Sequence, residues 1–279
     1  MHLHSSAPEI RMGVSWMTVP LRPKLAVACG LMLMSALAWL LLAGGAHAVS
    51  MALMGHGLPD PHDHANTGGG MVRAWGAAQW LGALLMWLIM AVAMMLPTAA
   101  PAILSFADAG AETTVRATLR QTSAFVLGYL LVWWSFAAFA TGLQWLLANS
   151  ARRLPAAAGM ATALTGCLLL LAGLYQFSSL KRRCLAHCHG PIRHFQSHWR
   201  ADSPGAHQLG LRHGLHCLGC CWALMLLMVL GGAMSIAWTA ALAALILVEK
   251  ALPGGLYLSR AVGLGLVGWG SVLIAVAWT

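Results

Sequence analysis

Charge is scarce in this chain: Asp, Glu, Lys and Arg together make up 8% of its 279 residues, and the acids number only 7. A soluble domain carries roughly 25% charged residues, so an ordinary water-facing surface is excluded. Paired carboxylates suited to acid–base work are missing, as are a Gly-rich phosphate loop, a nucleophile elbow and a His-Glu-x-x-His run, so no hydrolytic enzyme is expected. Period-2 alternation is absent too, which excludes a transmembrane barrel whose strands depend on it. No internal repeat points to an inverted-repeat transporter.

Hydrophobic residues fill the space, at 59% of the chain. Long apolar runs, free of charge except for Arg260 in the last, occur near 25–47, 80–106, 121–148, 156–177, 221–248 and 256–278. Each is long enough to cross a hydrocarbon core of about 30 Å, which takes about 20 helical residues. Backbone groups in lipid must be satisfied within helices, so the fold class is all-α: a polytopic membrane bundle of about six transmembrane helices. Residues 1–24 read as a cytoplasmic tail and 25–279 as a single transmembrane domain, with a His/Met-rich outer loop at 48–79 and a Cys/His-rich cytoplasmic loop at 178–220. Ala46-His47-Ala48 resembles a signal-peptidase site. The apolar core before it exceeds the usual 7–15 residues or so of a signal peptide, so the first span reads as a retained anchor. Residues 220–248, with Gly231-Gly232 near the middle, read as one tilted or kinked helix, because neither half alone would span.

Most Lys and Arg, including Lys24, Arg116, Arg120, Lys181, Arg182, Arg183 and Arg212, fall on one side when the N-terminus is placed in the cytoplasm. The positive-inside bias then puts both termini and the cysteine loop in the cytoplasm, with Lys250 on an outer loop. The formal charge of +9 is accounted for by basic loops beside an anionic leaflet, so lipid, and no nucleic acid, is the expected partner.

Of the 7 cysteines, Cys184, Cys188, Cys217 and Cys220 fall between the fourth and fifth runs and Cys221 opens the fifth. Cys184 and Cys188 lie one helical turn apart, and Cys217-x-x-Cys220 has the spacing of a metal knuckle. Together with His189, His213 and His216 they offer soft sulfur and nitrogen donors to a single ion, Cu(I) first and Zn(II) next. Basic neighbours Lys181, Arg182, Arg183 and Arg212 favour the thiolate forms. Cys29 and Cys167, inside spans, behave as small apolar residues.

Weaker signals surround this cluster. Met86, Met90 and Met94 recur every four residues with Met95 adjacent, and Met225 follows the cysteines; such thioethers can pass Cu(I) or simply fill gaps between helices. His56, His62 and His64 on the outer loop could capture a metal or be incidental to a polar connector. Pro97 and Pro101 predict a kink. Glu249 stands at a span end beside Lys250, which suggests an interfacial salt bridge.

Several segments together resemble a bacterial family of predicted metal-binding integral membrane proteins, a domain of unknown function. They are Met90 to Pro101, Tyr175-Gln176 leading to Leu180-Lys181 and Cys184-x-x-x-Cys188, His213-Gly214 leading to Cys217-Leu-Gly-Cys-Cys-Trp-Ala-Leu-Met225, and Glu249-Lys250. His189 stands where the family commonly has arginine. The resemblance implies metal binding in a bacterial inner membrane and no established reaction. Three functions fit the residues. The first is transport or delivery of a soft metal, with a metallochaperone or metalloenzyme as partner. The second is a membrane thiol-disulfide oxidoreductase using Cys217 and Cys220, although the outer loops lack the second cysteine pair it needs. The third is an assembly protein with a structural zinc site.

Overall fold

The structure is a computed structural model that describes residues 21–46, 76–109, 114–153, 158–190, 203–230, 236–252 and 254–278. Eight α-helices follow in order: α1 (Leu21–Leu41), α2 (Ala77–Ala109), α3 (Val115–Arg153), α4 (Ala158–Tyr175), α5 (Ser179–His189), α6 (Ser203–Leu230), α7 (Ile236–Ala251) and α8 (Gly255–Ala277). A short π-helical turn, Leu42–Ala46, closes α1. There is no strand among the described residues, and the fold is all-α. Five helices, α1, α2, α3, α6 and α8, are long and apolar enough to cross a membrane; the count reaches 6 if α4 and α5, bent by 59° at their junction, form one span.

Two elements differ from the hydropathy pattern. Residues 203–220, read as loop, are the first half of α6, which opens on Ser203-Pro204. Proline is at ease in a first helical turn because its missing N–H would have no partner there. His207, Arg212, His213 and His216 lower the hydropathy of this half without breaking the helix. Farther on, the described part of α6 ends at Leu230 and α7 begins at Ile236; the expectation for the stretch around Gly231 and Gly232 lies outside the described residues.

Small residues bring the helices together. A Cβ on Gly210 would lie 2.0 Å from the Phe125 carbonyl oxygen, and one on Gly128 would lie 2.2 Å from that of His207. The backbones of α3 and α6 therefore touch, running parallel. On α4 and α8 the equivalent pairs are Gly166 with Gly270 and Gly173 with Gly263, which makes these two helices antiparallel. Bare-backbone contacts of this kind are how helices associate where lipid supplies no hydrophobic drive between them. α1 packs on α2 and α2 on α3. The core holds Trp87, Tyr129, Trp133, Phe106 and Phe125, while Met32, Leu33, Leu40, Leu171 and Leu264 face outward.

The proline pair in α2 has a direct structural answer. Pro97 has no N–H to offer the carbonyl of Ala93 one turn earlier. That oxygen instead accepts from Trp39 Nε1 at 3.1 Å and Ser35 Oγ at 3.2 Å, both on α1. The backbone vacancy in α2 thus becomes the polar lock that seats α1.

Lys24 pairs with Asp108 at 2.9 Å, so the start of α1 and the end of α2 share one end of the bundle with the starts of α3 and α6. α4 starts at the opposite end, after α3, and α8 runs back toward that start. The first described helix and the last therefore begin and end on opposite sides.

Candidate metal centre

α5 exists because the chain bends between Gln176 and Ser178. Ser178 adopts an extended conformation and its side chain accepts from the Lys181 amide at 3.1 Å, capping a new helix. On α5, Cys184 and Cys188 share a face and lie against the middle of α6, where Cys217, Cys220 and Cys221 project. Gly219 makes room: a Cβ there would meet Cys184 Sγ at 2.6 Å. Cys188 Sγ stands 3.9 Å from Cys220 Sγ. The two cysteine strips therefore converge, on helices rather than on a loop.

All 7 cysteines are free. The thiols of Cys220 and Cys221 each donate to the Cys217 carbonyl at 3.0 Å, turned back along their own helix. In this rotamer state no group of three or more His, Cys, Asp or Glu side chains among the described residues is arranged to hold a metal ion.

Cys217 has a different environment. Lys250 Nζ donates to its sulfur at 3.0 Å, and Tyr129 OH lies 3.1 Å from the same atom. Lys250 also reaches Thr98 Oγ1 at 3.3 Å and Cys221 Sγ at 3.9 Å. Tyr129 OH donates to the Met95 carbonyl at 3.0 Å, tying α3 to α2. Lys250 is buried, and no carboxylate pairs with it among the described residues. An ammonium away from water needs a compensating partner, and here its nearest polar neighbours are sulfur and a hydroxyl. A partly open cavity of about 620 Å³ borders Cys188, Cys217, Lys250, His189, His213 and Thr98.

Glu249 does not pair with Lys250. Its carboxylate meets Lys181 Nζ of α5 at 2.7 Å, with side chains 3% and 0% exposed, so this ion pair is interior rather than interfacial. Neighbours on a helix point about 100° apart, which sends Glu249 toward α5 and Lys250 toward α6 and α2. Lys181 also donates to Gln176 Oε1, which accepts from Ser259 Oγ at 3.1 Å as well. The Glu249 carbonyl lies 3.1 Å from His189 Nε2. Two corrections follow. Lys250 is no outer-loop charge, and the cation at the thiols is Lys250, whereas Lys181 serves Glu249 and Arg182 and Arg183 are exposed. The charge pair ending a long apolar run was the available signal for Lys250.

The other candidates spread out. His213 is buried against the rings of Phe125 and Tyr129, 5.9 and 5.8 Å between centroids, and borders the cavity. His216 stacks on His187 at 4.1 Å with Nδ1 2.7 Å from the Arg212 carbonyl. Met86, Met90, Met94, Met95 and Met225 are all buried in the hydrophobic core. His56, His62 and His64 lie outside the described residues.

An all-helical bundle with a buried cysteine cluster on two helices and a lysine ammonium against one of its sulfurs defines a candidate site for a soft metal. The family comparison points the same way. A family model described as PpoB2, copper chaperone, matches residues 84–273, and the chain belongs to this family. That range runs from α2 into α8 and contains all five clustered cysteines and Lys250. No curated protein and no solved structure matches the chain.

Proposed function

We propose that this chain is an integral membrane protein that takes Cu(I) as its cargo at Cys188, Cys217 and Cys220 and delivers it to a partner protein. The observation that carries the reading is the 3.9 Å approach of Cys188 Sγ to Cys220 Sγ across two helices. Sulfurs bound to one cation at about 2.3 Å stand about 3.8–4.0 Å apart in tetrahedral or trigonal arrangements, so this pair already has the spacing of a shared ion. Soft thiolates favour Cu(I), and membership of a copper-related family supports copper over zinc. A change of rotamer at Cys220 frees its thiol from the Cys217 carbonyl to complete the set. Lys250 offsets the negative charge that two or three thiolates leave around a monovalent ion.

The apolar exterior and five spanning-length helices support insertion in a bacterial inner membrane. The end carrying Lys24, Arg116 and Arg120 is assigned to the cytoplasm by the positive-inside rule. The test is elemental analysis of gently purified protein, wild type beside Cys217→Ser/Cys220→Ser. Stoichiometric copper in the first and none in the second is expected. Zinc in place of copper, or unchanged copper in the double variant, overturns the reading.

A further inference from the structure

The cavity beside the thiols is far larger than a metal ion needs. A single ion among sulfurs displaces about one water volume, on the order of 30 Å³, whereas this space is about 620 Å³, within the range of small-molecule sites. Its wall is chemically uneven. Cys188 and Cys217 offer sulfur, His189 and His213 offer imidazoles, Lys250 offers a cation, Thr98 and Ser105 offer hydroxyls, and no Asp or Glu borders it among the described residues. An ammonium in the wall repels a bare cation and favours cargo that brings negative charge with it.

We propose that copper enters this cavity as a 1:1 Cu(I) complex of a small thiolate, and that Cys217 is the first protein sulfur to bind it. This rests on the copper reading above and names the form in which the cargo is accepted. The step is ligand exchange with no change of oxidation state. A neutral RS–Cu unit adds to the Cys217 thiolate, held by Lys250 Nζ at 3.0 Å and Tyr129 OH at 3.1 Å, forming one Cu–S bond. The resulting two-coordinate RS–Cu–S unit carries one negative charge, which the Lys250 ammonium neutralises inside the protein. The Cys220 or Cys188 thiol then forms its own bond to copper as the Cu–SR bond breaks. Its proton leaves with the departing thiolate as RSH. Cys220 is the nearer store of such a proton, because its S–H rests on the Cys217 carbonyl at 3.0 Å.

Two measurements on purified protein in detergent test this. Wild type is loaded from Cu(I)–2-mercaptoethanol and from Cu(I) held by the same thiol tethered to a long polyether that the cavity cannot admit. Loading at least tenfold faster from the small complex is expected; equal rates refute the proposal while leaving copper binding intact. No copper taken from either source defeats the copper reading itself. In the second, Cys188→Ser/Cys220→Ser is loaded from Cu(I)–2-mercaptoethanol and examined by native mass spectrometry. One copper retained together with one mercaptoethanol is expected, with the thiol lost on adding Lys250→Met and kept with Lys250→Arg. Copper held without the added thiol, or no copper held, refutes the proposal.

Discussion

Replacing Lys181 by Met tests the interior ion pair that holds α5 in place. Glu249 would keep its carboxylate, 3% exposed, with its partner ammonium gone. Removing one member of a buried pair costs about 3–5 kcal/mol, because the remaining charge is stranded away from water. Gln176 would lose a donor at the same time, retaining Ser259 at 3.1 Å. The double variant Lys181→Met/Glu249→Leu removes both charges and replaces them with apolar volume, which is often neutral or even stabilising. The single variants should therefore sum to far more than the double, with a coupling of at least about 2 kcal/mol. Denaturant titration in detergent, followed by tryptophan fluorescence, measures the cycle. Because α5 carries Cys184 and Cys188, copper retention should fall in Lys181→Met and return in the double variant. A cost below about 1 kcal/mol for Lys181→Met, the level of an exposed pair, would show that water reaches the site and that the latch does not exist.

Other outcomes can be checked in the same preparations. Trp39→Phe should cost about 1–3 kcal/mol by leaving the Ala93 carbonyl half-satisfied, and the cost should shrink in a Pro97→Ala background, where an amide at position 97 can take that oxygen; thermal unfolding reads both. Gly210→Ala should disrupt the α3–α6 contact, since its Cβ would fall 2.0 Å from the Phe125 carbonyl oxygen, whereas Gly142→Ala, with nothing within 4 Å, should leave folding yield unchanged. Cys188→Ser should lower Cu(I) affinity at least tenfold in a competition assay with a chromogenic chelator, and Cys29→Ser, on an exposed face of α1, should have no effect.

The helices α1, α2, α3, α4 and α8 were legible in the sequence because each holds a long apolar run with few or no charges, and hydropathy reads such runs directly. The first half of α6 was not, since its stability comes from Gly128 and Gly210 letting two backbones touch, a pairing between positions that no local window compares. The cysteine spacings gave the metal hypothesis, and the convergence of Cys188 on Cys220 follows the same logic of one face per helix. The charges misled for a related reason. Adjacency in sequence suggested that Glu249 and Lys250 answer each other, yet helix geometry turns neighbours apart and gives each a partner on a different helix. Composition likewise does not register the ring contacts that His213 makes with Phe125 and Tyr129 and His216 with His187.

Two short helices, α5 and α7, meet the middle of α6, and that arrangement explains why the polar residues collect there. A long apolar helix satisfies its own backbone and needs no polar neighbour, but a helix that stops inside the bundle leaves terminal groups to be matched. His189, the last residue of α5, meets the Glu249 carbonyl near the end of α7, while Lys181, in the first turn of α5, meets the Glu249 carboxylate. The same end of α7 then delivers Lys250 to Cys217. The contacts that close the fold and the contacts that prepare the sulfurs therefore come from consecutive residues of one helix turn. With α7 seated, Lys250 stands at Cys217 and Glu249 latches the helix bearing Cys184 and Cys188. A thiol cluster assembled this way is complete only when both short helices are docked, so displacement of either one would separate the sulfurs and weaken their hold on a shared ion.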